Sequence, residues 1–177
     1  MAVSVCLLPD ETGERAVRGV WRRLEEAGVP TLLSHTHGRH VPHLTLASLV
    51  SGDPGGVGTA LRDLSSGEPT TLEFGALGVF PRSRCWLLPA APADLLTRQQ
   101  AVVDLVVRAG AEVHRGYRAG AWLPHLTLAP RLHLAELPVV ARYCFDVLPL
   151  RIRFTGAALV DTATATGDVR RLPDLVT

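Results

Sequence analysis

Residues Pro42-His43-Leu44-Thr45-Leu46-Ala47 recur letter for letter as Pro124-His125-Leu126-Thr127-Leu128-Ala129, 82 positions further on. An exact hexapeptide repeat at that distance constrains the fold strongly, because a duplicated unit repeats its flanking elements too. The helices supply the test. Residues 11 to 27 place Val17, Val20, Trp21 and Leu24 at helical i, i+3, i+4, i+7 spacing, with Asp10 or Thr12 available as N-cap and Gly28 then Pro30 as the stop. Adding 82 carries Gly28 onto Gly110, and the segment it closes, 93 to 109, holds Leu95, Val102, Val103, Val106 and Ala109 in a comparable stripe. Asp53 and Pro54 open a short helix with Val57, Leu61 and Leu64. Its shifted image, 135 to 146, contains Leu137, Val140 and Cys144, with Pro138 in the first turn.

Strand candidates follow the same order, 2 to 8 against 84 to 90 and 71 to 80 against 149 to 161, each rich in Val, Leu, Phe or Thr and bounded by Pro, Gly or Asp. Each half thus reads strand, helix, motif strand, helix, strand. This order predicts an α+β fold: a bilobal pseudo-two-fold repeat of two mostly antiparallel sheets backed by helices, in one domain of 1–177 with lobes of about 1–82 and 83–177. Phe80 to Arg84 is the expected crossover. The stretches 52 to 56 and 164 to 168 carry turn chemistry, the second closing a hairpin onto Val169 to Leu172.

Composition narrows the partners. With 177 residues, 47% hydrophobic and 20% charged, the chain can bury a core without disulfides or metal staples. Eighteen basic against seventeen acidic residues leave a net charge of +1, so no broad field points to a long duplex or an acidic membrane. All eighteen basic residues are arginine and asparagine is absent, which reads as coding bias in a GC-rich genome rather than as selection for phosphate binding. Cys6, Cys85 and Cys144 are odd in number and far apart, and are expected to be ordinary thiols in a reducing cytosol. The opening apolar run, Met1 to Leu8, has no basic segment before it, is too short for a signal sequence or a membrane span and reads as a buried first strand. A cytoplasmic monomer is the expectation.

Side chains alternate along a strand, so His43 and Thr45 share one face while Leu44 and Leu46 share the other, and the same holds for His125 and Thr127 against Leu126 and Leu128. Each His and its Thr then stand about 7 Å apart along the strand, near enough to reach one tetrahedral group. Phosphodiester hydrolysis needs a base for the attacking water, an acid for the departing oxygen and donors for the phosphoryl oxygens. Two imidazoles and two hydroxyls meet those needs with no cofactor and no metal.

With these residues the chain resembles the two-histidine (2H) phosphoesterase superfamily, in its bacterial 2′-5′ RNA ligase and RNA 2′,3′-cyclic phosphodiesterase branch. The similarity runs through nearly the whole chain, including Gly78-Val79-Phe80 leading into a hairpin. It implies a bilobal fold with a central cleft, cofactor-free hydrolysis of 2′,3′-cyclic phosphates or 2′-5′ linkages, and in some members reversible ATP-independent ligation. His43, Thr45, His125 and Thr127 would be catalytic, and an RNA end, an oligonucleotide or a cyclic nucleotide would be the substrate. By the same resemblance, and because Tyr117 and its arginine-bearing loop precede the second motif, His125 is expected to be the base and His43 the acid. The chain departs from the branch where Pro130 separates Ala129 from Arg131, and where Ala47-Ser48-Leu49 replaces an aromatic continuation.

Other readings compete. The repeated strands would be purely structural if their polar pairs only satisfied hydrogen bonds, or would belong to a binding module that holds a nucleotide without turning it over. His35, His37, His40 and His43 would be a metal cluster if a further ligand joined them, but His40 reads better as flanking the cleft. Among aromatic residues Phe80, Trp86, Tyr117 and Trp122 are base-stacking candidates, with core packing favoured for Trp86 and ligand contact for Tyr117. Arg82, Arg84, Arg115, Arg118 and Arg131 are phosphate candidates against a background of solvated surface arginine. Tyr117, Arg131, Phe80 and His40 are the expected substrate-binding set. His114 and His133 are expected at the surface.

Overall fold

The computed structural model describes residues 3–63, 67–81, 84–161 and 168–172. The strands are β1 (Val3–Pro9), β2 (Leu44–Ser51), β3 (Thr70–Phe80), β4 (Arg84–Pro89), β5 (Glu112–Val113), β6 (Leu126–Ala129), β7 (Leu150–Asp161) and β8 (Val169–Arg171). The helices are α1 (Glu11–Glu26), α2 (Pro54–Ala60), α3 (Ala93–Arg108) and α4 (Leu137–Phe145). Helix and antiparallel strand alternate as the α+β reading requires. Leu64, the residues Arg82 and Ser83 of the expected crossover, and the 164 to 167 turn lie outside the described residues.

The two long helices end alike for one reason. Gly28 and Gly110 adopt φ of +84° and +79°, a region that costs a residue with a Cβ and favours glycine. The chain then folds back: Val29 N–H donates to Leu24 O and Gly28 N–H to Glu25 O, while Ala111 donates to Val106 O and Gly110 to Val107 O. Each pair of bonds forms a Schellman cap. At the other end of α1, Asp10 accepts from Gly13 N–H at 2.7 Å. Asp53 caps α2 through Gly55 and Gly56.

The expected pair of sheets is one hydrogen-bonded path, β5-β2-β1-β7-β3-β4-β6, with β8 beside β7. The halves exchange strands: β7 pairs with β1, and β3 pairs with β4 and β7. A boundary near residue 82 therefore divides the sequence and not the sheet. Phe80 and Arg84 are register partners on the antiparallel strands β3 and β4, so the expected crossover falls between two neighbouring strands of the sheet. The repeat also has two offsets. Val5 faces Leu159 as Cys85 faces Val79, an offset of 80, whereas the motifs and helix ends keep 82. Ala90 and Ala91, between β4 and α3, supply the two extra residues.

The main core lies on the helix side of the sheet and takes Leu44, Leu46, Leu126 and Leu128 from the motif strands, together with Trp21, Leu24, Val102 and Val106 from the helices. A smaller apolar cluster of Cys6, Leu8, Ala158 and Val160 occupies the opposite face. That second face carries the polar residues of both motifs. In a flat sheet β2 and β6 would stand about 24 Å apart, five strand spacings of about 4.8 Å. Trp122, three residues before His125, nevertheless donates its indole N–H to Thr45 O at 3.0 Å. The sheet therefore curls so that the chain entering β6 reaches β2.

Candidate active site

Both motif histidines are held by the same local device. His43 Nδ1–H donates to Val41 O at 2.8 Å, and His125 Nδ1–H donates to Leu123 O at 2.8 Å. In each case the acceptor is the carbonyl two residues back, so a proton sits on Nδ1 and Nε2 is left for chemistry. Both rings are half-buried. Burial pushes the His43 imidazole below its ordinary value, with the Val41 carbonyl opposing. Burial does the same to His125, helped by the charges of His43 and Arg84 and opposed by the Leu123 carbonyl. The charge of His43 thus reaches the His125 imidazole.

The threonines differ. Thr45, 8% exposed, sits cross-strand from Cys6 and touches its sulfur at 3.6 Å. The Tyr117 phenol also bonds Thr45, and burial pushes that phenol up to about 12. Tyr117 comes from a short 3-10 turn, Arg115–Tyr117, whose carbonyl accepts from Gln99 Nε2. Although Tyr117 precedes the second motif in sequence, its hydroxyl serves the first. This corrects the expectation that used its position to favour His125 as base. Thr127 is half-buried, opposite Trp86 on β4.

An aromatic wall flanks His125. The Phe80 ring meets it edge-on at 5.0 Å and Trp86 lies 5.8 Å away, the two aromatic rings being 4.7 Å apart. Trp86 is buried, in keeping with the core packing expected of it, and its ring also lies against that of His125. The indole crosses the sheet over Gly78, where any Cβ would overlap the six-membered ring. Trp122, a stacking candidate, instead spends its N–H on the Thr45 carbonyl.

The histidine-rich segment before the first motif folds as a brace. Glu25 of α1 accepts four bonds, from the backbone and hydroxyls of Thr31 and Ser34. Arg18 of α1 donates to His40 O at 3.1 Å. The rings of His35 and His37 pack on His40 at 5.8 and 4.1 Å. His40 itself is 5% exposed, with Nε2 bonded to Thr36 Oγ1 at 2.9 Å, and burial together with the neighbouring imidazoles pushes it down to about 4. His40, expected to flank the cleft, is thus buried and bonded within the brace. Stacked rings do not converge their nitrogens, and among the described residues no group of three or more His, Cys, Asp or Glu could hold a metal ion.

Of the arginines, Arg84 is central: its charge acts on His125, Tyr117 and His35. Arg131 also acts on His35. Arg118 lies 3.8 Å from Glu112, and Arg115 is exposed. Arg82 lies outside the described residues. His114 and His133 are exposed, and each caps a short turn. The thiols are all free and buried. Among the described residues no helix is long and apolar enough to cross a membrane.

Two imidazoles with Nε2 left open can exchange protons with a bound group, and the threonine hydroxyls beside them can donate hydrogen bonds to an anion. The 2′-5′ RNA ligase superfamily profile matches residues 9–166, so the chain belongs to that superfamily. No curated protein sequence matches it. Solved structures with the same fold include a phosphoesterase, at TM-score 0.60 and 20% identity, covering 99% of this chain and 98% of that one. Escherichia coli LigT in its apo form gives the same four values. TT0787 of Thermus thermophilus follows at TM-score 0.58 and 18% identity, with 98% of each chain covered.

Proposed function

We propose that the protein is a metal-independent phosphodiesterase that opens 2′,3′-cyclic phosphates, or cuts 2′-5′ linkages, at an RNA end or on a nucleotide. The observation that carries this reading is the matched pair of histidines, each with Nδ1 committed to the carbonyl two residues back. Superfamily membership supports it. So do LigT structures of the same fold complexed with ATP, with 3′-AMP and with phosphate.

In the cyclic-phosphate reaction His125 Nε2 takes a proton from water as its oxygen attacks phosphorus. The bond from phosphorus to one ribose oxygen breaks, and His43 Nε2–H protonates that oxygen, leaving a phosphomonoester and a free hydroxyl. The Val41 and Leu123 carbonyls support the imidazolium in each half of the exchange. Thr45 and Thr127 donate to nonbridging oxygens. Arg84 supports His125 as the base, since its positive charge disfavours protonation of that ring in the empty site. Ligation is the same pair of proton transfers with a ribose hydroxyl in place of water.

A substrate whose leaving oxygen needs no protonation tests the roles. Such an activated diester should restore turnover to His43→Ala and not to His125→Ala. Rescue of His125→Ala alone reverses the assignment, and rescue of neither counts against acid–base catalysis by this pair.

A further inference from the structure

Helix α3 buries a stripe of Leu95, Gln99, Val102, Val103 and Val106, in which Gln99 is the polar member and is 3% exposed. A buried amide costs free energy unless its hydrogen bonds are made. Gln99 makes two: its Nε2 group donates to Leu46 O at 3.0 Å and to Tyr117 O at 2.8 Å. Both acceptors are carbonyls, which fixes the orientation of the amide, since its own oxygen could serve neither. The fold does not demand a polar group at this place. Subtracting the 82 residues that relate the helix ends gives Val17 of α1, apolar and buried, so the equivalent helix buries its stripe with no amide.

Leu46 is where the β1–β2 ladder slips. Cys6 faces Thr45 and Val5 faces Ala47, so Leu46 stands opposite no residue of β1. The second motif slips at the matching place, with Trp86 facing Thr127 and Cys85 facing Ala129 around Leu128. Each motif strand thus carries a β-bulge immediately after its threonine, and a bulge bends its strand and re-aims the side chains beside it. At the first motif both residues are held from outside the ladder: Trp122 donates to the Thr45 carbonyl and Gln99 to the Leu46 carbonyl. The other bond of Gln99 holds the Arg115–Tyr117 turn, and the Tyr117 phenol reaches the Thr45 hydroxyl. One amide therefore fixes the backbone that carries Thr45 and the residue that bonds its side chain.

We propose that Gln99 is a positioning residue, which sets the Thr45 hydroxyl for its bond to the phosphoryl group by clamping the Leu46 bulge to the Tyr117 turn. The proposal rests on the phosphodiesterase reading for what Thr45 meets. Gln99 lies in the buried stripe of α3, on the helix side of the sheet, so it touches no substrate and acts through Thr45.

The test is a double-mutant cycle on the full chain: wild type, Gln99→Met, Thr45→Val and the two combined, with a nucleoside 2′,3′-cyclic phosphate as substrate. Methionine keeps the length and bulk of glutamine and removes both donors. Gln99→Met should lower kcat about tenfold or more, a part of the cost of a lost charge-stabilising donor, with KM little changed. In the Thr45→Val background the same substitution should change kcat by less than about twofold. Val102→Ala, in the same buried stripe, should lower the melting temperature and keep kcat. Gln99→Leu takes the place of Gln99→Met if the latter does not fold. Failure of both to fold would make the amide a requirement of the fold and overturn the positioning role. Wild-type kcat in the folded variant, or an equal loss with and without the Thr45 hydroxyl, overturns it too. Affinity for inorganic phosphate, measured by calorimetry on the same proteins, separates this proposal from the reading it rests on. Phosphate affinities coupled in the same way, in a chain that opens no cyclic phosphate, would keep the clamp and sink the phosphodiesterase reading. A wild type that neither turns over the diester nor binds phosphate would sink both.

Discussion

Trp122 donates its indole N–H to the Thr45 carbonyl at 3.0 Å, and so ties the chain entering the second motif to the strand of the first. Trp21 of α1 makes the converse bond, to the Thr127 carbonyl at 3.1 Å. Gln99 of α3 adds a third, to the Leu46 carbonyl at 3.0 Å. β6 ends the sheet path and β5 covers only the Leu49 to Ser51 end of β2, so carbonyls of both motif strands lack a strand partner, and these side chains satisfy them. Trp122→Phe keeps an aromatic ring and removes the donor, leaving a carbonyl unpaired at a cost of about 1 to 3 kcal/mol. The expected outcome is a lower melting temperature together with reduced kcat. A variant that melts lower but keeps full kcat would show that the bond stabilises the fold without positioning Thr45.

Thr45 and Thr127 should not be equivalent under substitution. Thr45 is set by Cys6 and Tyr117, whereas Thr127 faces Trp86. Thr45→Val should cost up to about 10²- to 10³-fold in kcat, the range seen when one charge-stabilising donor is removed, and less than the loss of either histidine. Tyr117→Phe should reproduce part of that loss. Steady-state kinetics of Thr45→Val and Tyr117→Phe, with Thr127→Val for comparison, decide it, and wild-type rates for Thr45→Val would remove that hydroxyl from the site.

The pH profile has a definite sign. Burial holds both imidazoles below the ordinary 6.5 in the free protein, so the state with one protonated and one neutral ring falls on the acid side of that value. The bell in kcat/KM, which reports the free enzyme, should be centred there. A bound phosphate stabilises imidazolium and raises both values, so the bell in kcat should lie at higher pH. The two apparent constants belong to the coupled pair. A kcat/KM bell lying above the kcat bell contradicts this account.

Gly78 is a packing constraint on the aromatic wall. A methyl group there would overlap the Trp86 ring, which leans on Phe80 and His125. Gly78→Ala should destabilise the fold by about 1 to 3 kcal/mol as an overpacked site, and should shift the tryptophan fluorescence. Denaturant titration measures the first and an emission spectrum the second. Unchanged stability would mean that the indole has room to move.

The motif and the helix ends were legible because each rests on a local signal: an exact repeat, a 3.6-residue apolar period, and glycines that must adopt positive φ. The 80-residue offset of the flanking strands was not, because two alanines before α3 carry no periodicity of their own. The burial of Trp86 is legible in the apolar run Cys85-Trp86-Leu87-Leu88, but its place beside His125 is not, because alternation cannot say what lies against a buried ring. Cys6 looked like an ordinary thiol, and its contact with Thr45 depends on strand register.

The central claim is that two histidines alone perform the proton transfers. Hydrolysis of a nucleoside 2′,3′-cyclic phosphate, with excess chelator, tests it most directly on wild type, His43→Ala and His125→Ala. Wild type should keep its full rate, and each variant should lose about 10²- to 10⁴-fold, the usual contribution of a general acid or base. A wild-type rate abolished by chelator, or a near-wild-type rate in either variant, would contradict it.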